Sequence, residues 1–406
     1  MTLQSSELPL GIPAIGVATP LGIGKSANAA ALFAGSAAGL SPRDDLLPGR
    51  SLHVGMVTQD LAPLPAALAP WDCRNNRLMM VALQEIADDV RLTAQRYGRH
   101  RIAVIMGTST GGIAEGEVAF AAYQRDGRWP NDFHYRHQEA GSLGRFVSAA
   151  LDLTGPAYTV VTACSSSGKV FASARRLIRA GVIDAAVVGG ADTLCRMTVG
   201  GFSALEAVSA GRCNPFSAHR DGINIGEAAA AFLVTRDAAP VELRGVGEGS
   251  DAHHISAPDP EGHGAAAVMR LALADAGVAP DDVAYINLHG TGTALNDAME
   301  SKAVQAVFGD GIACSSTKGM TGHTLGAAGA CEAAFLWLSL QPDWNPQGYL
   351  PPHLWDGVAD PTLPRLTLVD PGTRLRDPDA PAAMISNSFA FGGSNLALLF
   401  ARGGLS

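Results

Sequence analysis

The chain has 406 residues, of which 47% are hydrophobic and only 17% are charged, and its formal net charge is −9. This length allows a large core in one or two domains, and a charged fraction below the usual value of about 25% indicates much buried surface, some of it at an expected subunit interface. The negative charge argues against nucleic acid as a partner, no apolar run reaches the roughly 18 residues of a membrane span, and the N-terminus lacks a signal-peptide pattern.

Short apolar, β-branched runs alternate with alanine-rich helical stretches along the chain. In the first part, strands are predicted at 101–109, 157–163, 185–192 and 229–236. In the second part, they are predicted at 284–290, 313–316, 384–388 and 396–402. This alternation is typical of a layered α/β protein. The segment 341–382 is rich in Pro, Asp and Gly and predicts irregular surface structure.

The two halves of the chain contain a similar segment. Thr162-Ala-Cys-Ser-Ser leads into a stretch of small residues, and Ile312-Ala-Cys-Ser-Ser-Thr-Lys leads into Gly-Ala-Ala-Gly-Ala. The similarity suggests a duplicated α/β unit, which we divide into residues 1–240 and 241–406. No long Pro/Ser/Gly linker separates the two parts, so we expect one compact body.

The cysteines of the chain follow no CxxC spacing, so we expect reduced thiols in a cytoplasmic protein and neither a disulfide framework nor a zinc site. They stand at positions 73, 164, 195, 213, 314 and 331. Cys164 differs from the others because it lies in Val-Val-Thr-Ala-Cys-Ser-Ser-Ser-Gly (160–168), between a β-branched run and a helical stretch. The first turn of a helix would stabilise a thiolate there, which is a nucleophile for thioester chemistry, whereas an arbitrary cysteine is more often a small core residue.

Three further motifs lie downstream of Cys164. They are Asn-Leu-His-Gly-Thr-Gly-Thr (287–293), Ser-Ser-Thr-Lys-Gly-Met-Thr-Gly-His-Thr-Leu-Gly-Ala-Ala-Gly (315–329) and Asn-Ser-Phe-Ala-Phe-Gly-Gly-Ser-Asn (387–395). Lys318 in the second motif is one of only four lysines beside twenty-five arginines, so a compact ammonium at this position fits a specific role.

This ordered set of motifs resembles the β-ketoacyl-acyl-carrier-protein synthases, in the elongating, two-histidine branch of the thiolase superfamily. The resemblance extends from about Gly11 to Arg402. It implies a thiolase-like duplicated fold, an α-β-α-β-α sandwich of five layers with two five-stranded sheets. It also implies a decarboxylative Claisen condensation, in which malonyl-carrier protein extends an acyl chain by two carbons.

The resemblance assigns the catalytic roles residue by residue. Cys164 accepts the acyl group, and His289 and His323 donate hydrogen bonds to the malonyl thioester carbonyl as it becomes an enolate. Lys318 pairs with Glu300 and supports the histidines and the thiol electrostatically. A lone histidine is often structural, but two histidines in intact motifs favour the catalytic interpretation.

Substrate-binding roles follow in the same way. Phe391 occupies a gating position, and its N–H group forms the acyl oxyanion hole together with that of Cys164. Gly392 and Gly393 let the backbone approach the site and move. Thr291 and Thr293 line the entrance for malonyl and pantetheine groups.

Two phenylalanines and a threonine complete the predicted substrate pocket. Phe202 matches an aromatic residue at the acyl pocket, with core packing as the rival interpretation, and Phe389 belongs to the motif that carries Phe391. Thr110 stands where a bulky aliphatic residue is common, so a different acyl chain is expected. Ala390 replaces the usual glycine before the gating phenylalanine, which predicts a stiffer loop.

Several departures from the family pattern make this sequence resemble the synthases of bacterial aryl-polyene and related type II pathways. Ala-Leu-Asn-Asp at 294–297 replaces the usual Pro-x-Gly-Asp. Arg-Asn-Asn-Arg at 74–77 and Leu-Pro-Pro-His-Leu-Trp at 350–355 are further features of this subgroup. A housekeeping fatty-acid elongation synthase is the alternative.

The expected partners are an acyl carrier protein and a second subunit, either another copy of this chain or a homologous chain-length factor. A non-catalytic partner subunit is disfavoured because Cys164 and both histidines are present, and Lys-x4-His disfavours a thiolase. Arg74, Arg77, Arg125 and Arg128 are candidates for a basic carrier-docking patch, although solvated surface arginines are equally expected.

No cofactor and no metal are expected, since the substrates are carried on the phosphopantetheine arm of the carrier. His253, His254 and His263 could suggest a metal site. They lie in one predicted loop without the carboxylate spacing that would complete such a site.

Overall fold

The computed structural model describes residues 9–403, which form a mixed α/β fold. The strands are β1 (Leu10–Thr19), β2 (Gly22–Ile23), β3 (Leu40–Leu47), β4 (Arg50–Gly55), β5 (Ile102–Gly107), β6 (Ala157–Val160), β7 (Ala185–Asp192), β8 (Ile225–Gly226), β9 (Ala228–Thr235), β10 (Val241–Ser250), β11 (Val283–Asn287), β12 (Ala313–Ser315), β13 (Thr367–Leu368), β14 (Ala382–Ala390) and β15 (Ser394–Arg402). The helices are α1 (Lys25–Phe33), α2 (Arg74–Gln84), α3 (Ala87–Tyr97), α4 (Ile113–Asp126), α5 (Ser142–Ala150), α6 (Ser166–Arg179), α7 (Arg196–Ala204), α8 (His263–Ala276), α9 (Ala294–Phe308), α10 (Lys318–Thr321) and α11 (Ala328–Leu340).

The topology of the main sheet repeats itself in the two halves of the chain. The first half has the spatial order β1-β9-β7-β5-β6, and the second half has the order β10-β15-β14-β11-β12. The pairing directions also agree between the two arrays. The first two neighbouring pairs in each order (β1-β9 and β9-β7, β10-β15 and β15-β14) are antiparallel, and the other two pairs in each order are parallel. This identity of order supports the duplication, while the domain division at 240/241 stays a proposal.

The two five-stranded arrays are joined at one edge. β1 and β10 are antiparallel neighbours over two residue pairs, Leu10 with Leu243 and Gly11 with Glu242, and β13 extends the other edge of the second array. The expectation of two separate sheets is therefore corrected: the two arrays form one continuous sheet, because the first residues of β1 and β10 are paired.

The five layers predicted for the fold are present. Helices α6 and α11 lie between the two arrays, and every residue of α11 is buried. Phe171 of α6 packs edge-on against Phe232 of β9 and Phe400 of β15, with ring centroids 4.9 and 5.8 Å apart, so one side chain contacts both arrays. α2 and α5 cover the outer face of the first array, and α8 and α9 cover that of the second.

All eight strands predicted from the sequence are present, with ends shifted by a few residues. β1, β10 and the small sheet β3-β4-β8 were not predicted, because Gly and Pro interrupt their apolar patterns. The segment 341–382 is mostly irregular as expected, but residues 350–353 are buried instead of lying on the surface. Within residues 9–403, no helix is both long and apolar enough to cross a bilayer.

Candidate active site

The turn between β6 and α6 presents Cys164 to the interior of the molecule. Ala163 has φ of 50°, a left-handed conformation that costs a non-glycine residue about 1–3 kcal/mol and is often found at functional sites. Ser166 braces the turn, since its Oγ donates to the carbonyl of Ala163 at 2.6 Å and accepts from the N–H of Thr162 at 2.9 Å. Cys164 itself is 8% exposed and lies two residues before α6, so the expectation that it belongs to the first helical turn is corrected by this short displacement.

Two histidines from the second half of the chain meet this thiol. His323 Nε2 lies 3.1 Å from Cys164 Sγ, and the His289 ring stands almost perpendicular to the His323 ring at a centroid distance of 5.2 Å. One ligand atom of each of the three residues lies within 4.8 Å of the others. The resemblance therefore predicted three residues that the fold brings together from distant parts of the sequence.

Backbone contacts fix the positions of both rings. His289 follows β11, and the Glu300 carboxylate of α9 accepts the N–H groups of His289 and Gly290 at 2.8 and 2.7 Å. His323 follows α10, and its N–H donates to the Asn224 carbonyl at 2.7 Å. Glu300 thus supports the site by holding the backbone of the His289 turn.

The ion-pair partner of Lys318 is Glu332 of α11, and the expected pairing with Glu300 is wrong. Lys318 Nζ also donates to the His289 carbonyl at 2.5 Å and lies 3.5 Å from His289 Nδ1. Glu300 is occupied by backbone N–H groups, which leaves it turned away from the ammonium. Glu332 could have been noticed in the sequence as the single charged residue in an otherwise apolar helix.

Burial determines the charge states of the site. It lowers the pKa of His289 and of His323 well below their usual value, and the neighbouring Lys318 charge lowers both further. Burial raises the pKa of Cys164 to about 11, and Lys318 and the Phe391 backbone oppose this rise only in part. Burial therefore opposes the thiolate that the helix terminus was expected to stabilise, and it also disfavours the charged forms of both imidazoles.

This arrangement favours proton transfer at the moment of attack. His323 Nε2 is placed to accept the Cys164 proton, because a neutral ring nitrogen faces the sulfur at 3.1 Å. The main-chain N–H groups of Phe391 and Cys164 both act on the sulfur and lower its pKa. The same two groups are the predicted oxyanion hole, and their orientation toward the reacting atom supports that role.

Phe391 closes the site from the side of the second array. Its ring is 41% exposed and lies 5.7 Å from the Phe202 ring of α7. Gly392 and Gly393 follow with φ of 81° and 74°, which a residue with a Cβ adopts only under strain. Ala390 is the last residue of β14 and has ordinary extended dihedrals, so its Cβ fits this conformation without strain, and the predicted stiffening of the loop stays a prediction.

A cavity of about 390 Å³ leads from the surface to Cys164. The predicted site residues on its lining, besides Cys164, are His289, His323, Thr291, Thr293, Phe202, Phe389 and Phe391. Thr291 Oγ1 and Thr293 Oγ1 lie 2.9 Å apart, and Phe389 packs edge-on against His289. Both residues thus line the cavity, and their role at the entrance for malonyl and pantetheine groups stays a prediction.

Thr110 lies outside the lining of this cavity. Its hydroxyl donates to Asp192 at 2.8 Å, and the side chain is 2% exposed. The structure therefore gives Thr110 a bracing contact, and its predicted role in acyl selection stays a prediction.

Asp192 is a buried residue that the sequence reasoning missed. Its carboxylate accepts N–H groups from Ser109, Thr110 and Gly326, and hydroxyl groups from Thr108, Ser109 and Thr110. The carboxylate thus ties the loop after β5 to the turn that follows His323. A charged residue at the end of the apolar strand 185–192 was the available signal.

His353 is a second missed residue. Its Nδ1 accepts from the Ser316 N–H and its Nε2 donates to the Pro215 carbonyl, each at 3.0 Å. Ser316 Oγ in turn donates to the Gly290 carbonyl at 2.5 Å, next to His289. A histidine in the Pro-rich stretch 350–355 was its only signal in the sequence.

A metal ion fits this site poorly. Cys164, His289 and His323 have suitable donor atoms, but the Lys318 ammonium adjoins His289 and would repel a cation. Of the three histidines predicted to share a loop, His263 is instead the first residue of α8 and pairs with Asp259 at 2.8 Å, while His254 accepts from the Ser256 N–H. The absence of a catalytic metal stays a prediction.

Three arginines of the predicted carrier-docking patch have carboxylate partners on this chain. Arg74 pairs with the buried Glu227 at 2.5 Å, Arg77 with Asp72 at 2.5 Å, and Arg125 with Asp126 at 2.8 Å. Each pair neutralises the charge that docking would use, which weakens this patch as the carrier site.

The chain matches two family models over adjoining ranges. Residues 73–239 match the β-ketoacyl synthase N-terminal domain, and residues 241–354 match the β-ketoacyl synthase C-terminal domain. A relative named 3-oxoacyl-[acyl-carrier-protein] synthase 2 from Staphylococcus aureus is 34% identical in an alignment of 354 residues that covers 81% of this chain and 82% of the relative.

Solved structures show the same similarity at the level of the fold. A chain of the complex of a ketosynthase (ApeO) with its chain length factor (ApeC) from Xenorhabdus doucetiae is 44% identical, with a TM-score of 0.91 and coverage of 99% of this chain and 100% of that one. A chain of the ishigamide ketosynthase/chain length factor is 28% identical, with a TM-score of 0.85 and coverage of 98% and 99%.

Proposed function

This chain belongs to the β-ketoacyl synthase family, and we propose that it extends an acyl group held on Cys164 by two carbons from malonyl-carrier protein. The observation that carries the proposal is the 3.1 Å contact between Cys164 Sγ and His323 Nε2, with His289 beside them, at the inner end of a cavity that reaches the surface. A nucleophile, a proton acceptor and neutral N–H donors are the groups that this reaction needs.

Acyl transfer uses the thiol and His323. The Cys164 sulfur attacks the thioester carbonyl of the acyl-carrier protein while its proton passes to His323 Nε2. The oxyanion receives hydrogen bonds from the N–H groups of Phe391 and Cys164. When the tetrahedral intermediate collapses, the carrier thiolate leaves and takes the proton from His323, so the ring returns to its neutral form.

Condensation uses both histidines as donors. Once Cys164 is acylated, His323 adopts the neutral tautomer with its proton on Nε2, and the malonyl thioester carbonyl accepts N–H groups from both rings. Loss of CO2 leaves an enolate whose negative charge these two donors stabilise. The enolate carbon attacks the acyl thioester on Cys164, a carbon–carbon bond forms, and the Cys164 thiolate leaves and regains a proton. Burial, and after it the Lys318 charge, lowers the pKa of both rings, so they act as neutral donors.

A polyene or related type II pathway is the setting that the comparisons support. The relative of 44% identity is in complex with a chain length factor, and this chain offers an edge for such a partner. β6 is the edge strand of the first array, and Tyr158 within it and Val161 directly after it are 37% and 54% exposed. We propose that a second subunit, either a copy of this chain or a homologous one, covers this edge.

The carrier supplies the phosphopantetheine arm, and we propose that the reaction needs no further cofactor. The six cysteines are unpaired and buried, which supports the proposal of a cytoplasmic location.

Intact-mass spectrometry tests this function. The purified protein, with and without a co-expressed homologous subunit, is incubated with a panel of acyl-carrier proteins and then with malonyl-carrier protein, beside Cys164→Ala. We expect acylation of Cys164 and a product two carbons longer, with polyenoyl groups preferred over saturated ones. A preference for saturated chains indicates fatty-acid elongation, and no acylation under any condition contradicts the proposal.

A further inference from the structure

We propose that the carrier protein docks on an apolar collar formed by Leu205, Ile255 and Leu295 at the entrance of the cavity, and that ion pairs contribute little to this contact. The proposal rests on the proposed function, because it concerns the same cavity. In this proposal an apolar surface takes the place of the predicted basic docking patch of four arginines.

The collar is assembled from three distant segments. Leu205 directly follows α7 and Leu295 lies in the first turn of α9, and both line the cavity. Ile255 belongs to the connection between β10 and α8, and its carbonyl accepts the Gly392 N–H at 2.8 Å, which places it beside Phe391. The collar therefore surrounds the opening through which the prosthetic arm must pass.

The collar side chains are unusually exposed for apolar residues. The exposed fractions of Leu205, Leu295 and Ile255 are 56%, 59% and 78%. Single exposed apolar residues are common on proteins, but three around one opening indicate a binding surface. The 41% exposed ring of Phe391 continues this surface into the cavity.

The charges at the opening disfavour an electrostatic contact with an acidic carrier. Glu206, Asp221 and Asp251 supply carboxylates to the cavity lining. Arg220, the arginine on the same lining, pairs with Asp360 at 2.6 Å. A carrier that covers this opening must therefore present apolar side chains beside its prosthetic arm.

Binding and kinetics test the proposal together. In a Cys164→Ala background, holo-carrier binding is measured by fluorescence anisotropy for the collar variant Leu205→Ser/Ile255→Ser/Leu295→Ser. The matched control is Leu92→Ser/Leu271→Ser, which alters leucines of 55% and 51% exposure on α3 and α8. We expect the collar variant to weaken carrier binding about tenfold or more, and the control to bind like the parent.

Transfer assays then separate docking from cavity shape. We expect the collar variant to raise KM for carrier-bound acyl groups much more than KM for a small pantetheine thioester, and binding by the parent to change little with salt. Unchanged binding by the collar variant, an equal rise of both KM values, or a steep loss of binding with salt would each overturn the proposal.

The two proposals fail in different ways. If Cys164 accepts no acyl group even from the small thioester, the proposed function fails. The anisotropy measurement still decides the docking proposal in that case, because it uses a variant that performs no chemistry.

Discussion

Lys318 and Glu332 form an ion pair that is buried on all sides, with side chains that are 1% and 3% exposed. The ammonium also donates to the His289 carbonyl and lies 3.5 Å from His289 Nδ1, so a positive charge is fixed beside this ring. This charge lowers the pKa of both histidines and of Cys164. Burial is the main cause that keeps the rings neutral for hydrogen-bond donation, and the Lys318 charge adds to it while it makes the thiol easier to deprotonate.

Removing one charge of this ion pair should lower the stability more than removing both charges. Glu332→Gln leaves a buried ammonium without its counter-charge, which we expect to lower the free energy of unfolding by about 3–5 kcal/mol. Lys318→Met/Glu332→Leu removes both charges and should recover most of that loss, while condensation stays at least tenfold slower because the rings lose their fixed charge. Thermal unfolding and turnover of the three proteins provide the comparison. Equal stability of the single and double variants would show that the charges are not coupled.

The resting thiol should show itself in its pH profile. Because burial raises the pKa of Cys164 to about 11, the rate of alkylation by iodoacetamide should still increase with pH above pH 8. Lys318→Met should slow alkylation at pH 8, since Lys318 lowers the thiol pKa. Mass spectrometry follows modification at Cys164 directly. A rate that reaches its plateau below pH 7 would demonstrate a resting thiolate and contradict the charge states assigned to the site.

The sequence predicted the reacting groups better than their surroundings. Cys164, His289 and His323 stand in motifs that are local in sequence, so each could be located without a structure. Glu332 could not be paired with Lys318 because the contact depends on how α10 and α11 pack. The charge state of Cys164 escapes the sequence for a similar reason: the motif shows a helix terminus that favours a thiolate, but the opposing desolvation of Cys164 depends on the whole fold.

Asp192 illustrates the same limit and leads to a prediction. Asp192→Asn replaces one acceptor oxygen with an NH2 group that faces N–H and hydroxyl donors, so we expect a loss of roughly 3 kcal/mol in stability and slower acylation of Cys164. Ser109→Ala is the matched control, because it removes the hydroxyl contact and keeps the carboxylate, at an expected cost of about 1 kcal/mol. Chemical denaturation and single-turnover acylation measure both effects. If the Asp192→Asn protein proved as stable as the parent, the bracing role would be refuted.

His353 should make the protein sensitive to acid. Burial lowers the pKa of His353 to about 4, below the usual value of about 6.5 for an unfolded chain. Between these two values the unfolded state binds a proton that the folded state excludes, so stability falls as the pH decreases from about 6.5 to about 4, by roughly 3 kcal/mol in total. Protonation would place an N–H at Nδ1 against the N–H of Ser316, which explains why the folded state does not bind this proton.

His353→Asn should reduce this acid sensitivity and preserve the fold at neutral pH. The asparagine Oδ1 lies near the place of Nδ1 and can accept the Ser316 N–H without titrating, while the contact with the Pro215 carbonyl is lost. We expect the variant to lie within about 2 kcal/mol of the parent at pH 7.5 and to lose less stability at pH 5, where His289 and His323 still contribute to the loss. His253→Asn, at an exposed histidine, should retain the slope of the parent. Denaturant unfolding at the two pH values measures the change of the free energy of unfolding with pH. An identical change for the parent and His353→Asn would show that the ring is already protonated in the folded protein.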